Sequence, residues 1–118
     1  MDKKKKERAE LKRQVLAFIA RFTDDGKRSE VIECFTSGCC YYFANALWLR
    51  FGNLIFDKDT KIEMMYDPIA NHFGCQIGDN VYDVTGDVTK KYGWNSWIQY
   101  AQSDDLESAR ITRDCINF

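Results

Sequence analysis

Apolar residues recur at Leu11, Val15, Ile19 and Phe22 with Lys, Arg and Glu between them, which is the spacing of one face of an amphipathic helix. This predicts a first helix over about 4–22, ending before Asp24-Asp25-Gly26. Ser29 to Phe35 fits a short helical turn or an extended connector, and the pattern does not choose. A second helix is expected after Thr36-Ser37-Gly38, with Ser37 as its cap and Gly52 as its stop beyond Phe51. Its residues from Cys39 to Leu49 are apolar almost all round, so it should be central and covered by other elements. From Asn53 the period shortens. Leu54-Ile55-Phe56, Ile62 to Tyr66, His72 to Ile77 and Val81 to Val84 are short aromatic and branched runs separated by Gly, Asp, Asn and Pro, as in a small antiparallel sheet. The stretch with Trp94, Trp97 and Tyr100 reads as helical again, and Ser103 suits the cap of a last helix. Helices first and strands after predict an α+β fold, a central helix packed on one face of an antiparallel sheet.

With 118 residues, 45% of them hydrophobic, 14% aromatic and one proline, there is material for one core and one domain, spanning 1–118. No run reaches the roughly 18 apolar residues of a membrane span. The start Met1-Asp2-Lys3-Lys4-Lys5-Lys6 lacks the apolar stretch of a secretory signal, so a soluble, cytoplasmic protein is expected, with no membrane partner. Charge is uneven: residues 1–30 carry ten Lys/Arg against six Asp/Glu, and residues 31–118 carry seven against twelve. An acidic body argues against a general nucleic-acid binder, and the basic run Lys3 to Lys6, Arg8, Lys12 and Arg13 reads first as a solvated helix face.

Five cysteines, Cys34, Cys39, Cys40, Cys75 and Cys115, are an odd number and suggest no disulfide framework. Their spacings lack the paired ligands of a zinc site, and His72 and Cys75, three apart on a strand, point to opposite faces. No metal or organic cofactor is implied. Thiol chemistry is. A cysteine in the first turn of a helix lies against unpaired amides and the positive end of the dipole, which favour its thiolate. Cys40 holds that place, with Cys39 as its rival, and Gly38 leaves room for a substrate backbone. His72, the one histidine, is the natural proton partner. Gly78-Asp79 suits a two-residue type II′ turn, which pairs Ile77 with Asn80 and sets His72 opposite Thr85. In that register Asp83 and Asp87 lie on the two diagonals of His72, and either can orient its ring. A three-residue loop would reverse the parity.

Gly38-Cys39-Cys40-Tyr41-Tyr42-Phe43-Ala44 resembles the stretch around the nucleophile of papain-like cysteine peptidases, with Cys40 in the nucleophile's place. The segment from His72 to Thr85 is similar to the histidine strand, turn and aspartate strand of compact NlpC-type and transglutaminase-like hydrolases, and the order Cys, His, Asp is the same. The resemblance covers residues 37–51 and 66–88. It departs at Cys34, where papain has its oxyanion glutamine, so the oxyanion would rest on the Cys40 amide and a donor such as Thr36 or Ser37. Asn95-Ser96-Trp97 echoes papain's asparagine stretch, although it is expected to fall in a helix. The resemblance implies a thiol hydrolase, peptidase or amidase, or an acyl-transferase, with catalytic residues Cys40, His72 and Asp83 and a peptide, amide or ester substrate. The alternative is a non-catalytic interaction module on the same fold, binding a partner through its basic first helix or an aromatic surface.

Overall fold

The computed structural model describes residues 2–23, 30, 32–33, 39–52 and 60–116. Helix α1 (Asp2–Thr23) follows the predicted period: Val15 and Ile19 are buried, and the lysines and arginines lie outward or half-covered. At its end Thr23 turns its hydroxyl inward, donating to the Ile19 and Ala20 carbonyls at 3.0 and 3.2 Å. Rings join α1 to the second helix, α2 (Cys40–Gly52): Phe18 meets Phe51 edge-on at 5.9 Å and Phe22 meets Phe43 at 5.0 Å. Such pairs add roughly 0.5–1.5 kcal/mol each beyond the area they bury.

The expected full cover of α2 is not found. Cys40, Phe43, Ala44, Leu47 and Phe51 are buried, whereas Tyr42, Trp48 and Leu49 are exposed. An all-apolar helix needs neighbours on every side, and among the described residues α2 has them on the sheet and α1 sides and at the C-terminal turn, where the Tyr42 hydroxyl donates to the Ile116 carbonyl. The proposed cap Ser37, the segment 54–56 and most of 29–35 lie outside the described residues.

Five antiparallel strands follow: β1 (Ile62–Asp67), β2 (His72–Ile77), β3 (Asn80–Asp83), β4 (Gly86–Asp87) and β5 (Asn95–Ser96), in the order β4-β3-β2-β1-β5. On one face Tyr66, Phe73, Cys75, Ile77 and Tyr82 close onto α2 to form the core. On the other, Trp94 lies over Gly74, and a Cβ there would stand 2.9 Å from the indole and 2.9 Å from Val81. Indole Nε1 donates to the Val88 carbonyl at 3.1 Å, which anchors the ring.

The β2–β3 register is the predicted one, with Ile77 opposite Asn80 across Gly78-Asp79. Gly78 carries the positive φ, 68°, that the first central position of a type II′ turn requires. The next strand ends earlier than expected. After Asp83 the chain reverses through Val84-Thr85, and Gly86, at φ 121°, returns as β4, with Tyr82 opposite Asp87. Thr85 is therefore in a turn and not across from His72.

The C-terminal part contains α3 (Trp97–Ser103), α4 (Asp105–Ile111) and a π-helical turn, Thr112–Ile116. Two details differ from expectation. Asn95-Ser96 is a strand edge pairing with β1, and the helix starts only at Trp97, with Ser96 as its cap. The cap of α4 is Asp104, which accepts from the Glu107 amide at 3.0 Å, while Ser103 ends α3 and donates to the Tyr100 carbonyl. Both residues suit a cap, and Asp104 has the extended backbone one needs. No helix among the described residues is long and apolar enough to cross a membrane.

Candidate active site

Cys40 is the first residue of α2, and the Cys39 carbonyl just before it accepts the Tyr42 amide at 3.1 Å. The helix aims the Cys40 thiol at the start of β2, where Sγ accepts the Phe73 amide at 3.5 Å. The His72 ring and the Tyr41 amide lie near enough to favour the charged form of the thiol. Of the two vicinal thiols, then, the second meets the histidine; Cys39 is half-buried at the helix entrance.

His72 opens β2 directly after Asn71, whose left-handed φ of 53° is one that asparagine tolerates better than most residues. Its Nε2 is 2.8 Å from Asp83 Oδ2, and both side chains are buried. With Nε2 so engaged, Nδ1 is the nitrogen left for Cys40. Asp83 is held from behind, because its Oδ1 accepts the Thr85 amide at 2.7 Å and the Thr85 hydroxyl at 2.5 Å. Tyr92 and Trp94 lie against the imidazole, with centroids at 4.7 and 5.9 Å and tilts of 33° and 37°.

The electrostatics follow from these contacts. Burial pushes the Cys40 thiol up, but the nearby His72 ring and the amides of Phe73 and Tyr41 outweigh that and leave it below its ordinary value. Burial disfavours the imidazolium, yet Asp83 on one side and the Cys40 sulfur on the other raise His72 to about 9. Asp83 is also pushed up by burial and brought below the usual carboxylate range by His72 and Thr85. Both shifts run in the direction that favours a thiolate–imidazolium pair backed by a carboxylate. By contrast burial alone pushes Cys75 up to about 12, so that thiol is a packing group, and Cys115 is likewise raised.

Cys40, His72 and Asp83 are thus brought together, and Asp87 is not. Because the chain reverses at Thr85, Asp87 lies one strand farther out and pairs with Lys12 at 2.8 Å. The tripeptide Asp-Val-Thr occurs twice, at 83–85 and 87–89, and folds the same way each time: Oδ1 accepts the threonine amide and hydroxyl two residues on. What differs is the partner of Oδ2, a histidine in one case and a lysine in the other. Asn95 is exposed and donates to the Gly93 carbonyl, so its stretch takes no part. Cys34, Thr36 and Ser37 lie outside the described residues. Sequence reasoning missed Tyr92 and the role of Thr85 behind Asp83; the Asp-x-Thr spacing, which favours such a turn, was the available signal for the second.

Among the described residues no group of three or more His, Cys, Asp or Glu side chains is gathered to hold a metal ion. No protein-family model, no curated protein and no solved structure matches this chain.

Proposed function

We propose that this chain is a small cysteine hydrolase or acyl-transferase acting on a peptide, amide or ester carbonyl. One observation carries the reading: the Cys40 thiol, held by the Phe73 amide at the start of β2, stands beside the ring of the adjacent His72, whose Nε2 is 2.8 Å from Asp83 Oδ2, with Thr85 closing behind the carboxylate. In the proposed reaction the Cys40 thiolate attacks the carbonyl carbon, and the electron pair moves to oxygen, where the helix-start amide of Cys40 offers one donor. As the tetrahedral adduct collapses, the bond to the leaving nitrogen or oxygen breaks and His72 gives that atom its proton. A thioester remains on Cys40. The now neutral His72 takes a proton from water, or from an acceptor amine, as it attacks the thioester; the acid or the transferred acyl product departs and the thiolate returns. Asp83 holds the imidazole tautomer and stabilises its charged form. The papain-like resemblance of residues 37–51 and 66–88 supports the same roles. A reducing compartment such as the cytoplasm suits this chemistry, and Cys40, Cys75 and Cys115 are free thiols.

The test is acylation by a generic activated ester. With p-nitrophenyl acetate, a burst of nitrophenol and an acetyl group on the peptide carrying Cys40 are expected, both lost in Cys40→Ala. Nitrophenol release equal in wild type and Cys40→Ala, without a Cys40 adduct, would overturn the proposal. It would leave the chain an interaction module working through its basic first helix or the exposed Tyr42, Trp48 and Leu49 of α2.

A further inference from the structure

Asp67, the last residue of β1, stands directly across the sheet from His72 and is 5% exposed. Its side chain has three hydrogen-bonding partners, all backbone amides. Oδ1 accepts from Ile69 at 2.9 Å and Ala70 at 3.3 Å, which closes the turn leading into His72. Oδ2 accepts from Gly93 at 3.1 Å. Gly93 lies between Tyr92 and Trp94, the two residues whose rings rest on the imidazole. One buried side chain therefore ties the turn that delivers His72 to the segment that walls it in.

We infer that Asp67 is a positioning residue for the Cys40–His72 pair, holding the 92–94 segment and the β1–β2 turn in the one arrangement that aligns the imidazole with the thiol. This rests on the function proposed above. Two other contacts hold the same segment from elsewhere, the Trp94 bond to Val88 and the fit of its indole over Gly74, and neither reaches the turn. Among the described residues, Asp67 is the side chain that hydrogen-bonds both the turn and the segment. It does not touch the reacting atoms, so its effect passes through the ring of His72. The titratable groups facing that ring are Cys40 from α2, Asp83 from β3 and Tyr92 from the segment itself, with Asp67 across the strand.

Asp67→Asn separates the two ties. An amide has one acceptor, which the two turn amides claim, so its NH₂ group then faces the Gly93 N–H donor to donor and releases the segment. The measurement is the rate of Cys40 alkylation by iodoacetamide against pH, together with the p-nitrophenyl acetate burst. The thiol midpoint is expected to move up, and the burst rate to fall about 10- to 100-fold, the cost of misplacing a catalytic group by about an ångström. A lower melting temperature with an unmoved midpoint and burst would mean a purely structural residue and would overturn the inference. If Asp67→Asn does not fold, Gly93→Pro deletes the same bond from the other side, and Gly93→Ala, whose Cβ meets nothing within 4 Å, keeps it and is expected to match wild type. Gly93→Pro indistinguishable from Gly93→Ala would equally overturn it. A wild-type midpoint at the ordinary thiol value would instead sink the proposed function itself, so the two failures are told apart.

Discussion

Replacing Asp83 with asparagine keeps the size of the side chain and alters one thing, and the structure says which. Oδ1 receives both the amide and the hydroxyl of Thr85, at 2.7 and 2.5 Å. The amide can only donate, so in Asp83→Asn the carbonyl oxygen stays with Thr85 and the NH₂ turns to His72. Nε2 must then accept, which puts the ring proton on Nδ1, facing Cys40. In that tautomer the imidazole cannot take the thiol proton. Loss of the right tautomer costs about 10⁴-fold in a serine-protease triad, and a fall of about 10³- to 10⁴-fold in the acetylation rate is expected here. The charge is lost as well. His72 is raised from 6.5 to about 9 against the opposing effect of its burial, which corresponds to roughly 3 kcal/mol shared between Asp83 and Cys40. Since the raised group is a base, this stabilisation is full below the unfolded value near 6.5 and is lost as pH rises through about 9. Asp83, lowered in the fold, contributes above its unfolded value near 3.9 and loses that contribution as pH falls. The wild type should therefore exceed Asp83→Asn in melting temperature most clearly near pH 6, with the gap narrowing beyond pH 9. Stopped-flow acetylation and a melting series across pH measure both effects. A variant acetylated within threefold of wild type, with a gap independent of pH, would refute the reasoning.

Three further outcomes follow from the geometry. Cys40→Ala should abolish rapid alkylation and acetylation while Cys39→Ala retains most of each, as read by peptide mass mapping; equal losses would mean a shared site. Gly74→Ala sets a Cβ 2.9 Å from the Trp94 indole and 2.9 Å from Val81, an overpacking that costs roughly 1–3 kcal/mol. At about 4 °C per kcal/mol for a chain of 118 residues, calorimetry should find a melting point lower by about 4–12 °C. Gly78→Val forces a branched residue to φ 68°, at a cost of about 1–2 kcal/mol, and should lower the melting point by about 4–8 °C while loosening the register that aligns His72 with Asp83.

The parts of the site legible in the sequence were those set by local chemistry. Gly78-Asp79 fixes the β2–β3 register because glycine alone accepts the turn's positive φ cheaply, and that register puts Asp83 on the diagonal of His72. Cys40 was legible for a similar reason: helix starts are signalled by small and polar residues before an apolar run. The choice between Asp83 and Asp87 was not legible, since the two Asp-Val-Thr tripeptides are identical and make the same local turn. The reversal at Val84-Thr85 separates them, by sending the second tripeptide out to Lys12. Asp67 escaped notice because nothing local distinguishes an aspartate that closes a turn from one that also reaches Gly93, 26 residues away. Trp94 was expected in a helix on its aromatic neighbours, but the space above Gly74 draws it onto the sheet instead.

The claim at the centre is that His72 holds Cys40 as a thiolate, and alkylation of Cys40 against pH in wild type and His72→Ala tests it without a substrate. Wild type should titrate below the roughly 8.5 of a free cysteine. His72→Ala removes the strongest partner of a buried thiol, so its curve should move to higher pH, beyond the free value, since burial is then opposed only by the amides of Phe73 and Tyr41. Two superimposable curves at or above the free value would contradict it.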